Sequence, residues 1–155
     1  MRLYFVQHGE AHPDSSDKER QLTDQGRIDV EKVASFFGLS GIQIPVIFHS
    51  GKTRAFQSAE IFAEIISPEY GLEEKEGLHP KDPVHPWEQR VNELDDHTMI
   101  VGHLPSIRKL ISHLVTGNEE TEIAEFHPGT AICLEKTDDG SWRLAWMIRP
   151  DLLLG

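Results

Sequence analysis

Cysteine is nearly absent: the chain of 155 residues carries one, Cys133. No internal disulfide is possible, and a reducing compartment fits. Positive charge is also scarce. Fifteen Lys and Arg stand against 26 Asp and Glu, for a net charge of -11. That balance excludes a surface built to hold nucleic acid or an anionic membrane, because either needs a basic stripe. Long apolar runs are missing too. None approaches the roughly 20 residues of a membrane span, and with a single Arg and only a short apolar run before the charged residues, no signal peptide is expected. The expected location is the cytoplasm. Nine histidines are present, yet none falls into a ligand spacing such as His-Glu-x-x-His, so neither a metal nor another cofactor is expected. Without repeats, low-complexity segments or linkers, residues 1–155 are expected to form one domain, long enough for a real core at 38% hydrophobic content.

What is present is an alternation of strand and helix. Residues 3–6 read as a first buried strand. Thr23 is placed to cap a helix whose Val30, Val33, Ala34 and Phe37 recur on one face, with Gly38 closing it. Residues 46–48 form a second strand, and Ala55, Ala59, Phe62 and Ile66 mark the helix after it, stopped by Ser67-Pro68. Asp82-Pro83 is expected to open a third helix carrying Val84, Trp87, Val91 and Leu94. Residues 98–101 are a third buried strand, and Pro105 starts a fourth helix with Ile107, Leu110, Ile111 and Leu114 inward and Gly117 at its end. Residues 131–135 and 142–148 flank Asp138-Asp139-Gly140, a hairpin signal. Trp142 and Trp146 alternate on its second strand and are expected to pack the sheet. The pattern predicts an α/β fold: a three-layer α/β/α sandwich whose mostly parallel sheet ends in an antiparallel edge strand. Residues 9–22 and 68–83 read as long irregular loops.

Three strand ends deliver polar groups. The first brings Gln7, His8 and Gly9, the second Ser50 and, one helical turn on, Arg54, and the third Gly102 and His103. If the three strands are parallel neighbours, these groups share one rim of the sheet, where ligands bind in open α/β folds. Two imidazoles, a guanidinium and helix N-termini with unpaired N–H groups would make an anion site. His79, His85, His97, His113 and His127 read as loop or surface residues.

The order of these motifs resembles the histidine phosphatase superfamily, a phosphoglycerate mutase-like fold, and within it the short phosphohistidine phosphatase branch of SixA type. The family's Arg-His-Gly stands here as Gln7-His8-Gly9. Its Arg-x-Leu-Thr-x-x-Gly stands as residues 20–26, its Ser-x-x-x-Arg-Ala-x-Gln-Thr as residues 50–58, and its final Gly/Ser-His as Gly102-His103. The resemblance implies a nucleophilic His8 that is transiently phosphorylated, with Arg54 and His103 binding the phosphoryl oxygens and Gln7, Gly9, Arg20 and Gly102 lining the substrate. A neutral imidazole needs no separate base, and phosphoryl transfer asks mainly for in-line positioning and fixed positive charge. Phosphate or sulfate is then expected to occupy the site.

The departure is Gln7. An amide lacks the charge and the fork of arginine, and one missing donor costs roughly 2.7–4 kcal/mol of transition-state stabilisation, which implies a slow enzyme. Arg20, Lys52 and Arg2 are the cations available to compensate, Arg20 first. For the general acid the resemblance points to the loop at 72–83, where Asp82 ranks above Glu76. The implied activity is metal-independent removal of the phosphoryl group from phosphohistidine in a partner protein. The alternatives are a phosphomonoesterase for a small phosphoester and a degenerate module that binds phosphoryl groups without turnover.

Overall fold

The computed structural model describes residues 1–13 and 16–154. Six strands, β1 (Arg2–Gln7), β2 (Val46–His49), β3 (Leu72–Glu74), β4 (Thr98–Gly102), β5 (Ala131–Lys136) and β6 (Trp142–Ile148), form one sheet in the order β3-β2-β4-β1-β5-β6. The first four of that order run parallel; β5 is antiparallel to β1, and β6 to β5. Leu3, Phe5, Ile100, Ile132 and Leu134 point to one face, and Tyr4, Val6, Ile47, Met99, Val101 and Cys133 to the other. Helices α1 (Asp24–Ser40) and α2 (Thr53–Ile66) cover the second face. Helices α3 (His85–Glu93) and α4 (Ser106–Thr116) cover the first, which gives three layers. The strands read as unbroken apolar runs because both of their faces are buried.

Phe37 anchors the α1 layer. It is fully buried with its ring 5.5 Å from Tyr4, 5.4 Å from Phe62 and 5.6 Å from Trp146. Burying such a side chain contributes about 1.5–3 kcal/mol. Thr23 caps α1 as expected, accepting the Gly26 N–H at 2.9 Å. The helix does not stop at Gly38 but at Ser40, because the left-handed residue that ends it is Gly41, at φ 73°. Gly38 instead lets α2 approach: a Cβ there would stand 2.9 Å from Ile65 Cγ2.

Three other expectations shift. The stretch at 68–83 holds the short strand β3, whose three residues pair with β2 at the sheet edge; three residues are too few to show a period. Helix α3 begins at His85, not at Asp82, because residues 79–82 close a turn in which the Asp82 N–H donates to the His79 carbonyl and Asp82 Oδ2 accepts the His79 N–H. Trp142 and Trp146, both in β6, pack on opposite faces. A bulge opposite Cys133 and Leu134 skips Ala145 and reverses the alternation. Among the described residues no helix is long and apolar enough to cross a membrane.

Candidate active site

The parallel order β2-β4-β1 brings the three strand ends to one rim, with Gln7 opposite Gly102 and His49 opposite Val101. His8 follows β1 directly. Its N–H donates to the Gly102 carbonyl at 3.1 Å, and Gly129 N–H holds the preceding Gln7 carbonyl at 3.0 Å, so the imidazole stands on an anchored backbone. Gly9 is required by crowding: a Cβ there would lie 2.8 Å from the Gly26 carbonyl and 2.8 Å from Val30 Cγ2. Its N–H donates to Ser58 Oγ at 3.0 Å.

The Gly9 carbonyl lies 2.7 Å from His8 Nδ1. A carbonyl only accepts, so Nδ1 carries the proton and Nε2 keeps its lone pair. Arg54, on the first turn of α2 and 3% exposed, directs its Nε at that nitrogen from 3.4 Å. His103, at the end of β4 and 1% exposed, brings its ring centroid to 4.9 Å from that of His8. Its Nε2 lies 2.6 Å from Ser50 Oγ, while Nδ1 is buried with no partner among the described residues. Gly102 lets α4 start so close to β4, since a Cβ would stand 2.7 Å from Ile107 Cγ2.

Both imidazoles are held neutral. Burial pushes the His8 pKa down to about 4, helped by the charges of Arg54 and Arg20 and opposed by the Gly9 carbonyl and Asp17. Burial does the same to His103, to about 2, with His8, Arg54, Lys52 and His79 adding to it.

Asp17 is the part of this site that the sequence pattern did not reveal. It lies in a short 3-10 turn (Asp17–Glu19), and its main-chain carbonyl accepts Arg54 Nη1 at 2.6 Å while Oδ1 accepts Nη2 at 3.2 Å. The same carboxylate pairs with Lys52. Nothing in the spacing of the loop marks an acid that folds back onto two cations. Hydrogen bonding from Lys52, followed by the charges of Arg54 and Lys52, holds Asp17 below the usual carboxylate range against the pull of desolvation.

The remaining named residues are placed as follows. Gln7 is 9% exposed, and its Oε1 is buried without a partner among the described residues. Arg20 stays near enough for its charge to act on His8 and Arg54, but its Nε donates to the His12 carbonyl at 2.8 Å and Nη2 to that of Ala11 at 3.4 Å. Arg2 pairs with Glu135 at 3.0 Å at the start of β1, the far rim of the sheet. Glu76 is exposed and offers its backbone carbonyl to Trp87 Nε1 at 3.0 Å. Asp82 engages the His79 N–H at 2.8 Å. Among the described residues no group of three or more His, Cys, Asp or Glu side chains is placed to hold a metal ion.

An imidazole lone pair beside a buried guanidinium, a second imidazole and a helix N-terminus suits attack on an anionic centre. No family model matches the sequence, and no curated protein matches it either. Solved structures do match. The protein histidine phosphatase SixA complexed with tungstate superposes with a TM-score of 0.89 at 20% identity, over 98% of this chain and 99% of that one. The fold is that of the histidine phosphatases. SixA from Agrobacterium tumefaciens shares it at a TM-score of 0.80 and 17% identity, covering 96% of this chain and 97% of its own. So does a mycobacterial glucosyl-3-phosphoglycerate phosphatase in complex with VO3, at 0.73 and 15%, covering 94% and 97%. The histidine phosphatase fold, with its six-stranded sheet and antiparallel edge, covers nearly the whole of this chain.

Proposed function

We propose that this protein is a phosphatase that works through a phospho-His8 intermediate, and that its substrate is phosphohistidine in a partner protein. The observation that carries the reading is the pose of His8: Nδ1 held by the Gly9 carbonyl at 2.7 Å, and unprotonated Nε2 facing the Nε–H of buried Arg54 at 3.4 Å. In the first step Nε2 attacks phosphorus and the leaving group departs from the opposite side. The phospho-imidazole that results keeps its proton on Nδ1, against the Gly9 carbonyl, which stabilises the positive ring until water takes the phosphoryl group. Arg54 retains one N–H on each terminal nitrogen beyond those given to Asp17, and these serve the phosphoryl oxygens together with His103. Gln7, Gly9, Arg20 and Gly102 line the same space. None of these steps calls on a metal, and the whole chain acts as one domain in the cytoplasm.

The substrate class follows the likeness to SixA over nearly all of both chains, and also a rim over which the described residues form no large insertion, which leaves room for a macromolecule. The test is incorporation of phosphoryl label from a labelled phosphohistidine protein, with small phosphoesters in parallel. Acid-labile label on the wild type and none on His8→Ala is the expected result. Label that persists in His8→Ala places the nucleophile elsewhere, and a wild type that binds phosphate but turns nothing over is a phosphoryl-binding module. Turnover of small esters alone makes it a metabolite phosphomonoesterase.

A further inference from the structure

Residues 78–80 cross the end of β4. Ser106 N–H donates to the Pro80 carbonyl at 3.1 Å, and the Leu78 carbonyl lies 3.9 Å from the point that a Cβ on Gly102 would occupy. Between these two anchors stands His79, beside the Gly102-His103 pair, its N–H tied to Asp82 Oδ2 at 2.8 Å and its side chain open to solvent. It therefore borders the entrance to the His8–His103 cleft. Consistent with that position, the charge of a protonated His79 reaches His103 and helps keep it neutral.

The proposed reaction leaves one role unfilled. The departing atom needs a proton, and the water that later attacks phospho-His8 must lose one. His8 and His103 are held neutral, and Asp82, the carboxylate that the resemblance ranks first, is taken up by the 79–82 turn. An imidazole both donates and accepts protons, so a solvent-open histidine at this place can serve both directions.

Resting on the phosphatase reading, we propose that His79 is the general acid and base of the reaction. As His8 Nε2 bonds to phosphorus and the bond to the leaving group breaks, a ring N–H of protonated His79 passes its proton to the leaving atom. Neutral His79 then takes a proton from the water that attacks phospho-His8. Inorganic phosphate leaves, and both histidines return to their starting states.

The test separates the two half-reactions with two substrates. An activated aryl phosphate expels a phenolate that needs no proton, whereas an alkyl phosphate expels an alkoxide that does. In His79→Gln, label from the aryl ester should load onto His8 at the wild-type rate, but its hydrolysis should slow by about 10²-fold or more, the usual worth of a general base. Loading from the alkyl ester should fall by a similar factor. His79→Gln that slows both esters equally, or leaves phospho-His8 hydrolysis unchanged, overturns the assignment. Asp82→Asn producing the selective loss in place of His79→Gln moves the role to Asp82. Failure of the wild type to take label from either ester and from the labelled phosphohistidine protein, or label retained in His8→Ala, refutes the phosphatase reading itself and is recognisable as such.

Discussion

The rings of His8 and His103 lie with their centroids 4.9 Å apart and their planes tilted by 54°. Two imidazoles this close cannot both be charged cheaply, and burial already disfavours the first charge. Histidine titration by NMR should therefore find His8 neutral well below the ordinary value of 6.5, with its midpoint near 4. Because the folded pKa lies below the unfolded one, the unfolded chain binds more protons between them. The contribution of this pair to stability is thus present above about pH 6.5 and is lost as the pH falls toward 4 for His8 and lower for His103. A His8 midpoint at or above 6.5 would contradict the burial argument.

Asp17 draws on both terminal nitrogens of Arg54, the same nitrogens that would hold a phosphoryl group under the proposed function. Its side chain is 59% exposed, so its pairs with the more buried Arg54 and Lys52 are partly screened from that end, which keeps their worth to about 1 kcal/mol. Asp17→Asn should tighten inorganic phosphate binding, by up to about fivefold on that scale, as read by calorimetry at fixed salt. Weaker binding in Asp17→Asn would show instead that the carboxylate is needed to orient Arg54.

Gln7→Arg should raise kcat. The cations expected to stand in for the absent guanidinium are engaged elsewhere: Arg20 with the Ala11 and His12 carbonyls, Lys52 with Asp17, and Arg2 with Glu135 on the far rim. A new cationic donor beside His8 acts mainly in the transition state, and a gain of ten to a thousandfold corresponds to about 1.4–4 kcal/mol. Steady-state kinetics with an unchanged or lower kcat, in a variant that still folds, would mean that the amide is matched to the substrate.

Gly26→Ala should destabilise the protein although alanine is the better helix former. The propensity gain is at most about 1 kcal/mol. Against it, a Cβ at Gly26 would lie 2.2 Å from the Glu10 carbonyl oxygen and 3.0 Å from the Glu10 nitrogen. Main chain must move, and overpacking of this kind costs about 1–3 kcal/mol. The shift would also pull on Gly9, whose carbonyl sets the His8 tautomer, so a lower denaturant midpoint should come with a loss of phosphoenzyme formation.

The elements that could be read from the sequence are those whose pattern spans both faces of the sheet. Runs such as Tyr4-Phe5-Val6 and Met99-Ile100-Val101 are apolar throughout because each neighbour faces a different helix layer, and this marks central parallel strands. Their polar ends, Gln7-His8 and Gly102-His103, then fall on one rim by topology alone. What could not be read rests on contacts without periodicity. Strand β3 is three residues at an edge. The helix start at His85 depends on one carboxylate folding back to a turn. The Asp17 contacts join loop residues to α2 across 37 positions of chain, and no local signal encodes such a closure.

The bulge at Ala145 makes the two faces of the sheet optically distinct. Trp146 sits against Tyr4, Phe36 and Phe37 in the α1 layer, whereas Trp142 packs in the opposite layer, its Nε1 3.3 Å from Asn92 Oδ1, on the same side as Trp87. Replacing Trp146 by Phe therefore confines the indole fluorescence to the α3–α4 layer, while the double change Trp87→Phe, Trp142→Phe confines it to the α1–α2 layer. The chain thus carries its own pair of reporters, able to show whether the layers that close over the two sides of the rim loosen together or one before the other.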